Sequence, residues 1–199
     1  MGQFGILQSN VNVTIISARG NGNVTKKTKE EHKMLNIYIA NLGKYNEGKL
    51  VGKWVELPCY NLKEVLKQIG VIEGTTYEEY AIHDYESDIE GVEISEYADI
   101  YELNELAEQL DALTAYEKEH LSAYIEAHCA NLVYALEHFE NTSFYPDMTM
   151  QEVAEALIND GCFGDIPASI ANYIDYEAIA RDLRCEGYTE VSNGVISFD

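Results

Sequence analysis

The sequence predicts an α+β protein, arranged as an elongated chain of three small domains. Two observations lead to this prediction. Segments that alternate like strands flank a stretch whose apolar residues repeat at helical spacing. The connections between segments are short, and 46% of the 199 residues are hydrophobic. Each unit can therefore bury a small core of its own.

The first domain, predicted over residues 34–92, begins with two strands. Residues 35–41 alternate as a strand that places Ile37 and Ile39 on one face. A glycine-rich loop follows, and a second strand ends at Pro58. These strands form part of a three-stranded sheet.

A helix and a third strand complete this domain. Asn61 can cap the helix, and Gly70 stands where a helix C-terminus favours a left-handed residue. Residues 77–86 form the third strand. The apolar positions of the helix follow helical spacing: Leu62, Val65, Leu66 and Ile69.

The middle domain, residues 93–137, is predicted to be helical. Thr114 and Glu117 form a capping box at the start of its second helix. Residues 131–139 continue as a further or bent helical segment. The inward stripe of the first helix consists of Leu103, Leu106, Leu110 and Leu113.

The last domain, residues 138–199, is predicted to be α+β and to end in a hairpin. It opens with an aromatic loop over 140–148. Thr149 and Glu152 then form another capping box, for a helix that stops at Gly161.

Two short helices and the hairpin follow. Pro167 fits the first turn of one helix, and Asp175 can cap the other. Residues 188–198 form the hairpin, with Asn193-Gly194 as its two-residue turn.

Charge is distributed unevenly along the chain. Residues 1–70 carry a net charge of +5 and residues 71–199 a net charge of −27, which together give −22. Lys118, Arg181 and Arg184 are the only basic residues after Lys67 apart from histidines. Such a body repels nucleic acid and anionic membranes and attracts a basic cleft.

Composition argues against several classes of protein. No run approaches the roughly 18 apolar residues of a membrane helix, and no signal-peptide pattern opens the chain. Neither cysteines nor histidines show zinc-ligand spacing. We therefore expect a cytoplasmic protein without membrane contact, metal or cofactor. The four cysteines are far apart in the sequence, which fits reduced thiols better than a disulfide framework: Cys59, Cys129, Cys162 and Cys185.

Calcium binding and carboxylate catalysis fit poorly. Asp84, Glu86, Asp88 and Glu90 alternate like the first ligands of an EF-hand, but its required glycine and distal glutamate are missing. Acids this numerous provide no distinct catalytic pair. His83 and Asp84 are adjacent on a predicted strand and point to opposite faces. We expect a protein that is not an enzyme.

A merely solvated acidic surface is the simplest alternative. Such surfaces normally intersperse charges of both signs, whereas more than 110 residues here contain a single lysine. Adaptation of a whole proteome to salt would also acidify residues 1–70. We therefore favour a specific basic partner.

Acids recur at every third residue along one segment. On a helix they would rise about 4.5 Å and turn about 60° per charge, which gives a winding stripe. At one charge per ~1.7 Å, 27 charges correspond to roughly 46 Å of duplex DNA, and to about 90 Å in a dimer. This segment contains Glu93, Glu96, Asp99, Glu102, Glu105, Glu108 and Asp111.

Several segments resemble the ArdA antirestriction proteins of conjugative plasmids and transposons. They are residues 38–58, 78–86, 164–183 and 192–198. The resemblance covers about residues 34–199. It implies an elongated homodimer of three-domain chains that mimics bent B-form DNA. It also implies that the dimer occupies the DNA groove of type I restriction–modification enzymes without chemistry.

The resemblance also implies roles for particular residues. Acids would stand in for phosphates: Glu78, Glu79, Asp84, Glu86, Asp88, Glu90, Glu93, Glu96, Asp99, Glu102, Glu105, Glu108, Asp111, Glu117, Glu119 and Glu126. A C-terminal block would support self-association: Pro167, Tyr173, Ile174, Tyr176 and Arg181. Arg181 and Arg184 would pair with local acids such as Asp175 or Glu177, or bridge the dimer.

Residues 1–33 fall outside the resemblance. They form a basic N-terminal extension with one possible strand, or translation starts at Met34. The alternative function is that of an acidic adaptor or regulator that sequesters another basic DNA-binding protein. No direct binding of nucleic acid is expected in either case.

Overall fold

The computed structural model describes residues 35–198 and confirms the α+β class. Within these residues it contains seven α-helices and two three-stranded antiparallel sheets. The extension predicted over residues 1–33, including its possible strand, lies outside the described residues. No helix within 35–198 is both long and apolar enough to cross a bilayer.

The elements alternate along the described chain. The strands are β1 (Leu35–Asn41), β2 (Gly52–Leu57), β3 (Tyr80–Ser87), β4 (Thr142–Pro146), β5 (Tyr188–Val191) and β6 (Gly194–Phe198). The helices are α1 (Leu42–Asn46), α2 (Leu62–Gln68), α3 (Ile100–Ala112), α4 (Ala115–His128), α5 (Leu132–His138), α6 (Met150–Asn159) and α7 (Tyr176–Leu183). Two 3₁₀ turns span Phe139–Asn141 and Ala171–Tyr173.

The first sheet has the strand order β2-β1-β3. Ile37 and Ile39 are fully buried on one face of β1, as predicted. The loop predicted after β1 is wrong for Leu42–Asn46, which form α1. Asn41 caps this short helix because its Oδ1 accepts from the Lys44 amide at 2.9 Å.

The ends of α2 agree only partly with the prediction. Gly70 has φ +79°, the left-handed conformation expected after a helix C-terminus. Asn61 stands at the N-cap, but its side chain makes no capping hydrogen bond. Leu62 and Val65 are buried on the inner face of the helix.

The segment predicted to be helical over 93–137 is helical from Ile100 onward, and residues 93–99 are not. Leu103 and Leu110 of α3 are buried. The capping box of Thr114 and Glu117 is present at the start of α4. Cys129 ends α4 in a left-handed conformation, with φ 49°, so α5 is a separate helix rather than a bent continuation.

The C-terminal sheet has the order β4-β6-β5. Its first strand lies where a loop was predicted, and Phe144 of this strand is buried. The hairpin turn consists of Ser192 and Asn193 rather than Asn193-Gly194, because Gly194 pairs with Val191. Asn193 Nδ2 also donates to the Glu119 carbonyl at 2.9 Å, which holds the turn against α4.

The helix predicted to begin at Pro167 is wrong. Residues 167–170 form a turn, and only the 3₁₀ turn Ala171–Tyr173 follows. Ile170 and Tyr173 are 50% and 83% exposed. Without apolar burial, a helix this short lacks the tertiary packing that stabilises most protein helices.

Three hydrophobic clusters form the core. The first joins the sheet β2-β1-β3 with α2 and the start of α3, and the second joins the end of α3 with α4 and α5. The third joins α6 and α7 with Val195 of β6. Ile94 and Leu106 pack against both the first and the second cluster. The domain boundaries and the elongated arrangement stay predictions.

His120 is a buried ionisable side chain that packs against Phe139 and Phe144 of the second cluster. Its ring stacks on Phe144 with centroids 5.4 Å apart, and its Nε2 lies 2.7 Å from Thr142 Oγ1. The Thr142 hydroxyl donates its one hydrogen to the Phe139 carbonyl at 2.6 Å. Nε2 of His120 must therefore carry a proton and donate to that hydroxyl.

Burial lowers the pKa of His120 below its usual value of 6.5. Above that value the imidazole is neutral in both the folded and the unfolded chain. As the pH falls through 6.5, the unfolded chain takes up a proton that the folded chain resists, so stability is lost. The loss ends once the pH passes below the folded-state pKa.

We expect the free energy of unfolding of the wild type to fall between about pH 7 and pH 5 relative to His120→Gln. Urea titrations of both proteins at each pH measure this difference, and the shared carboxylates cancel in the comparison. Parallel pH profiles for the two proteins would contradict the buried neutral imidazole.

Candidate protein-binding surface

The sixteen predicted phosphate-mimicking acids lie at the surface. Fifteen are exposed, and Glu117 is half-buried. Glu78 and Glu79 precede β3, and Asp84 and Glu86 lie on it. The others follow along the next loop and α3 (Asp88, Glu90, Glu93, Glu96, Asp99, Glu102, Glu105, Glu108 and Asp111) and along α4 (Glu117, Glu119 and Glu126).

Three of these acids hold local structure in addition to carrying charge. Asp99 caps α3, since its Oδ1 accepts from the Tyr101 amide at 2.7 Å. Glu117 closes the capping box, and its hydrogen bonds with Thr114 lower its pKa. Both Oε atoms of Glu126 accept from the Ser192 amide at 3.0 Å, which fixes the hairpin turn.

Three more acids accept a single local hydrogen bond. Glu78 Oε2 accepts from the Gly74 amide at 2.9 Å, and Asp84 Oδ1 accepts from the amide of the next residue at 2.9 Å. Glu86 Oε2 accepts from Asn36 Nδ2 at 3.2 Å. Each bond leaves other lone pairs of the carboxylate facing solvent.

The other ten acids have no side-chain hydrogen bond or ion pair within residues 35–198. They are Glu79, Asp88, Glu90, Glu93, Glu96, Glu102, Glu105, Glu108, Asp111 and Glu119. In this range the structure contains two ion pairs, Lys49–Glu47 at 3.2 Å and Arg184–Glu190 at 3.1 Å. The acidic surface is therefore available to an external cation.

The acids of α3 wind around its solvent side. Glu102, Glu105, Glu108 and Asp111 are all exposed, while Leu103, Ala107 and Leu110 face the core. Successive acids differ by about 60° around the axis, so the four span about half a turn. The preceding acids Glu93, Glu96 and Asp99 lie outside the helix, so the stripe is helical only from Ile100 onward.

The C-terminal end of α3 places negative charge where a helix disfavours it. The last turn contains Asp111 and no basic residue. A helix C-terminus carries partial negative charge and is stabilised by cations rather than anions. An acid at this position lowers helix stability, which favours a functional rather than a structural reason for its presence.

Only some of the acids are brought close together. Glu90, Glu93 and Glu126 line one cleft of about 820 Å³, together with Cys129. Asp84 and Glu96 line another of about 500 Å³ beside His83. The remaining acids follow the surface of separate elements. Within the described residues, no three His, Cys, Asp or Glu side chains converge as metal ligands.

The predicted C-terminal block lies at the start of α7 and in the turn before it. Pro167 is exposed, Tyr173 is 83% exposed, and Ile174 and Tyr176 are half-buried. Arg181 is exposed on α7. Exposed apolar side chains therefore lie in this turn, and the role of the block in self-association stays a prediction.

Arg184 pairs with a local acid, as predicted, but that acid is neither of the two named in the prediction. Its NH2 group lies 3.1 Å from both carboxylate oxygens of Glu190 rather than near Asp175 or Glu177. Asp175 instead caps α7 by accepting from the Ala178 amide at 3.0 Å. Arg184 therefore forms its ion pair with an acid of its own chain.

Sequence analysis missed the outward face of the first sheet. Tyr38 and Trp54 pair across β1 and β2, with ring centroids 5.6 Å apart. Glu56 lies on the same face, two residues along β2. The alternation of Trp54 and Glu56 with buried Val55 and Leu57 is the signal that indicates this face.

We expect Asp111→Asn to raise the free energy of unfolding by about 0.3–1 kcal/mol at low salt, because it removes an anion from a helix C-terminus. Urea unfolding measures the change. Asp99→Ala is the matched control at the other end of α3. Because it removes an N-cap, it should lower the free energy of unfolding by about 0.5–2 kcal/mol. An Asp111→Asn variant less stable than wild type would show that Asp111 does not destabilise the C-terminus of α3.

Comparison with known proteins identifies the family. The antirestriction protein (ArdA) family matches residues 37–197, which is most of the chain. No curated protein matches it. The matched region contains all seven helices of the described residues, all sixteen acids, and both sheets except for the first two residues of β1 and the last residue of β6. The chain therefore belongs to the ArdA family of antirestriction proteins.

Proposed function

We propose that this protein mimics B-form DNA and inhibits type I restriction–modification enzymes by occupying their DNA-binding cleft. The observation that carries this proposal is the set of ten exposed acids without a partner in residues 35–198. Membership in the antirestriction family supports the class of target. A cleft that binds phosphates must present arginine and lysine, which these carboxylates complement.

Occupancy alone accounts for inhibition in this proposal, without catalysis or a cofactor. Many weak contacts spread over several elements share the binding energy, as they do between a protein and DNA phosphates. Long-range attraction between the acidic surface and a basic cleft also accelerates association. The protein itself is repelled by nucleic acid and so does not bind the DNA that it protects.

We also propose that the protein acts as a homodimer of three-domain chains. The exposed apolar residues around Tyr173 support self-association through the C-terminal segment, since uncovered apolar patches commonly mark protein interfaces. Exposed Arg181 on the neighbouring helix can then meet an acid of the second copy. Two copies would double the length of the acidic surface.

Displacement of DNA tests the proposal. We expect the protein to displace a labelled duplex stoichiometrically from a purified type I restriction–modification enzyme, and displacement to weaken between about 50 and 200 mM salt. Failure to displace the duplex at either salt concentration would exclude the proposed mechanism. Displacement only from another DNA-binding protein would favour the acidic adaptor.

Sets of substitutions test how the acids share the energy. A single change such as Glu105→Gln should weaken displacement by about twofold, since an exposed ion pair contributes about 0.2–1 kcal/mol. Neutralising Glu102, Glu105, Glu108 and Asp111 together should weaken it by about thirtyfold. The control neutralises four exposed acids outside the predicted set, Glu137, Glu140, Glu155 and Glu186. Complete loss from one substitution in a folded protein would contradict the mimic.

Light scattering after size-exclusion chromatography tests the dimer. We expect Tyr173→Ser to shift the protein toward monomer, because an aromatic side chain contributes much of the buried area of an interface. Tyr60→Ser is the control, since Tyr60 is 87% exposed outside the C-terminal block. An unchanged dimer in the Tyr173→Ser variant would place self-association elsewhere.

A further inference from the structure

We propose that the outward face of the sheet β2-β1-β3, centred on Trp54, is a docking surface for arginine side chains of a basic protein. This inference rests on the proposed function, because it names a contact that the enzyme's DNA cleft would make. It assigns that contact to an aromatic side chain rather than to another carboxylate.

Strand register creates two rows on this face. Tyr38 of β1 pairs with Trp54 of β2 and with Asp84 of β3. Side chains of paired residues lie on the same face of a sheet, so one row reads Trp54–Tyr38–Asp84. The next row on this face, two residues along each strand, is Glu56–Asn36–Glu86.

The first row contains two aromatic side chains in contact, Tyr38 and Trp54. A Cβ at Gly52 would come within 2.7 Å of Tyr38 Cε1 and 2.8 Å of Tyr38 Cζ. The Tyr38 ring therefore lies directly against the glycine, where no other residue type leaves room. Trp54 meets this ring edge-on and remains 40% exposed.

Three exposed carboxylates share these two rows with the aromatic pair: Asp84, Glu86 and Glu56. Neither row contains a lysine or an arginine. The Glu56 side chain has no hydrogen bond or ion pair within residues 35–198. The face thus presents an aromatic surface together with carboxylates, and no basic side chain in the two rows neutralises the charge of these carboxylates.

A guanidinium group matches both features. It is planar and stacks on an aromatic ring, most favourably on tryptophan, while its N–H groups donate in plane to carboxylates. An ammonium group provides charge without this planar match. Phosphates are repelled by the carboxylates. Because the bases of a DNA duplex are stacked inside it, Trp54 gives the protein a contact that DNA does not make.

Intrinsic fluorescence tests the surface independently of the enzyme, because Trp54 is the only tryptophan of the chain. Hexa-arginine should change Trp54 emission at about tenfold lower concentration than hexalysine, and the double variant Glu56→Gln/Asp84→Asn should weaken the arginine response. The matched control is Glu137→Gln/Glu140→Gln. Equal responses to both peptides, or a response to a DNA duplex like that to hexa-arginine, would overturn the proposal.

Competition with DNA tests the surface on the enzyme. Trp54→Ala should displace the duplex about tenfold less effectively than wild type, Trp54→Phe should be intermediate, and Tyr60→Ala should match wild type. Circular dichroism checks folding, and Trp54→Phe serves if the alanine variant unfolds. If both Trp54 variants displace the duplex as effectively as wild type, the arginine-docking surface is wrong, but the proposed function is unaffected. If Trp54 fluorescence responds selectively to hexa-arginine but the protein does not displace the duplex, the proposed function is refuted and the arginine-docking surface is supported.

Discussion

Repulsion between unpaired carboxylates is the constraint to which the rest of the structure responds. Residues 71–199 carry a net charge of −27, and the described part of this segment contains one ion pair, Arg184–Glu190. Such repulsion opposes compaction. Stability must come from interactions that need no cation: three hydrophobic clusters and capping hydrogen bonds at the helix N-termini. Thr114 and Thr149 each form a capping box with a glutamate, which places an acid where a helix favours it.

Two lysines of residues 35–70 have hydrogen-bond partners within the same segment. Lys44 Nζ donates to the Ile69 carbonyl at 3.2 Å, and Lys53 Nζ donates to Gln68 at 3.1 Å. These contacts hold the two lysine side chains against the end of α2. The outward face of the first sheet presents acids and Trp54 instead. Both parts of the described chain therefore offer negative charge to a partner, although their net charges differ in sign.

Local sequence signals predicted local structure well. The capping box of Thr114 and the left-handed Gly70 depend on residues within one helical turn, and both are present. Two features that involve distant contacts, the strand β4 and the position of the hairpin turn, were missed. The strand β4 exists because it pairs with β6, about fifty residues later, and Glu126 on α4 accepts a hydrogen bond from the Ser192 amide of the hairpin turn. The helix expected at Pro167 fails because its apolar residues find no core. Composition predicted exposed acids, but not which of them meet.

The central claim is that the acidic surface takes the place of DNA within the enzyme's cleft. A cryo-electron microscopy structure of a type I restriction–modification enzyme bound to this protein tests that claim most directly. The account predicts that the acids of α3 face the arginines and lysines that contact phosphates in the enzyme's complex with DNA. Density for the protein outside the cleft, with a duplex bound at the same time, would contradict it.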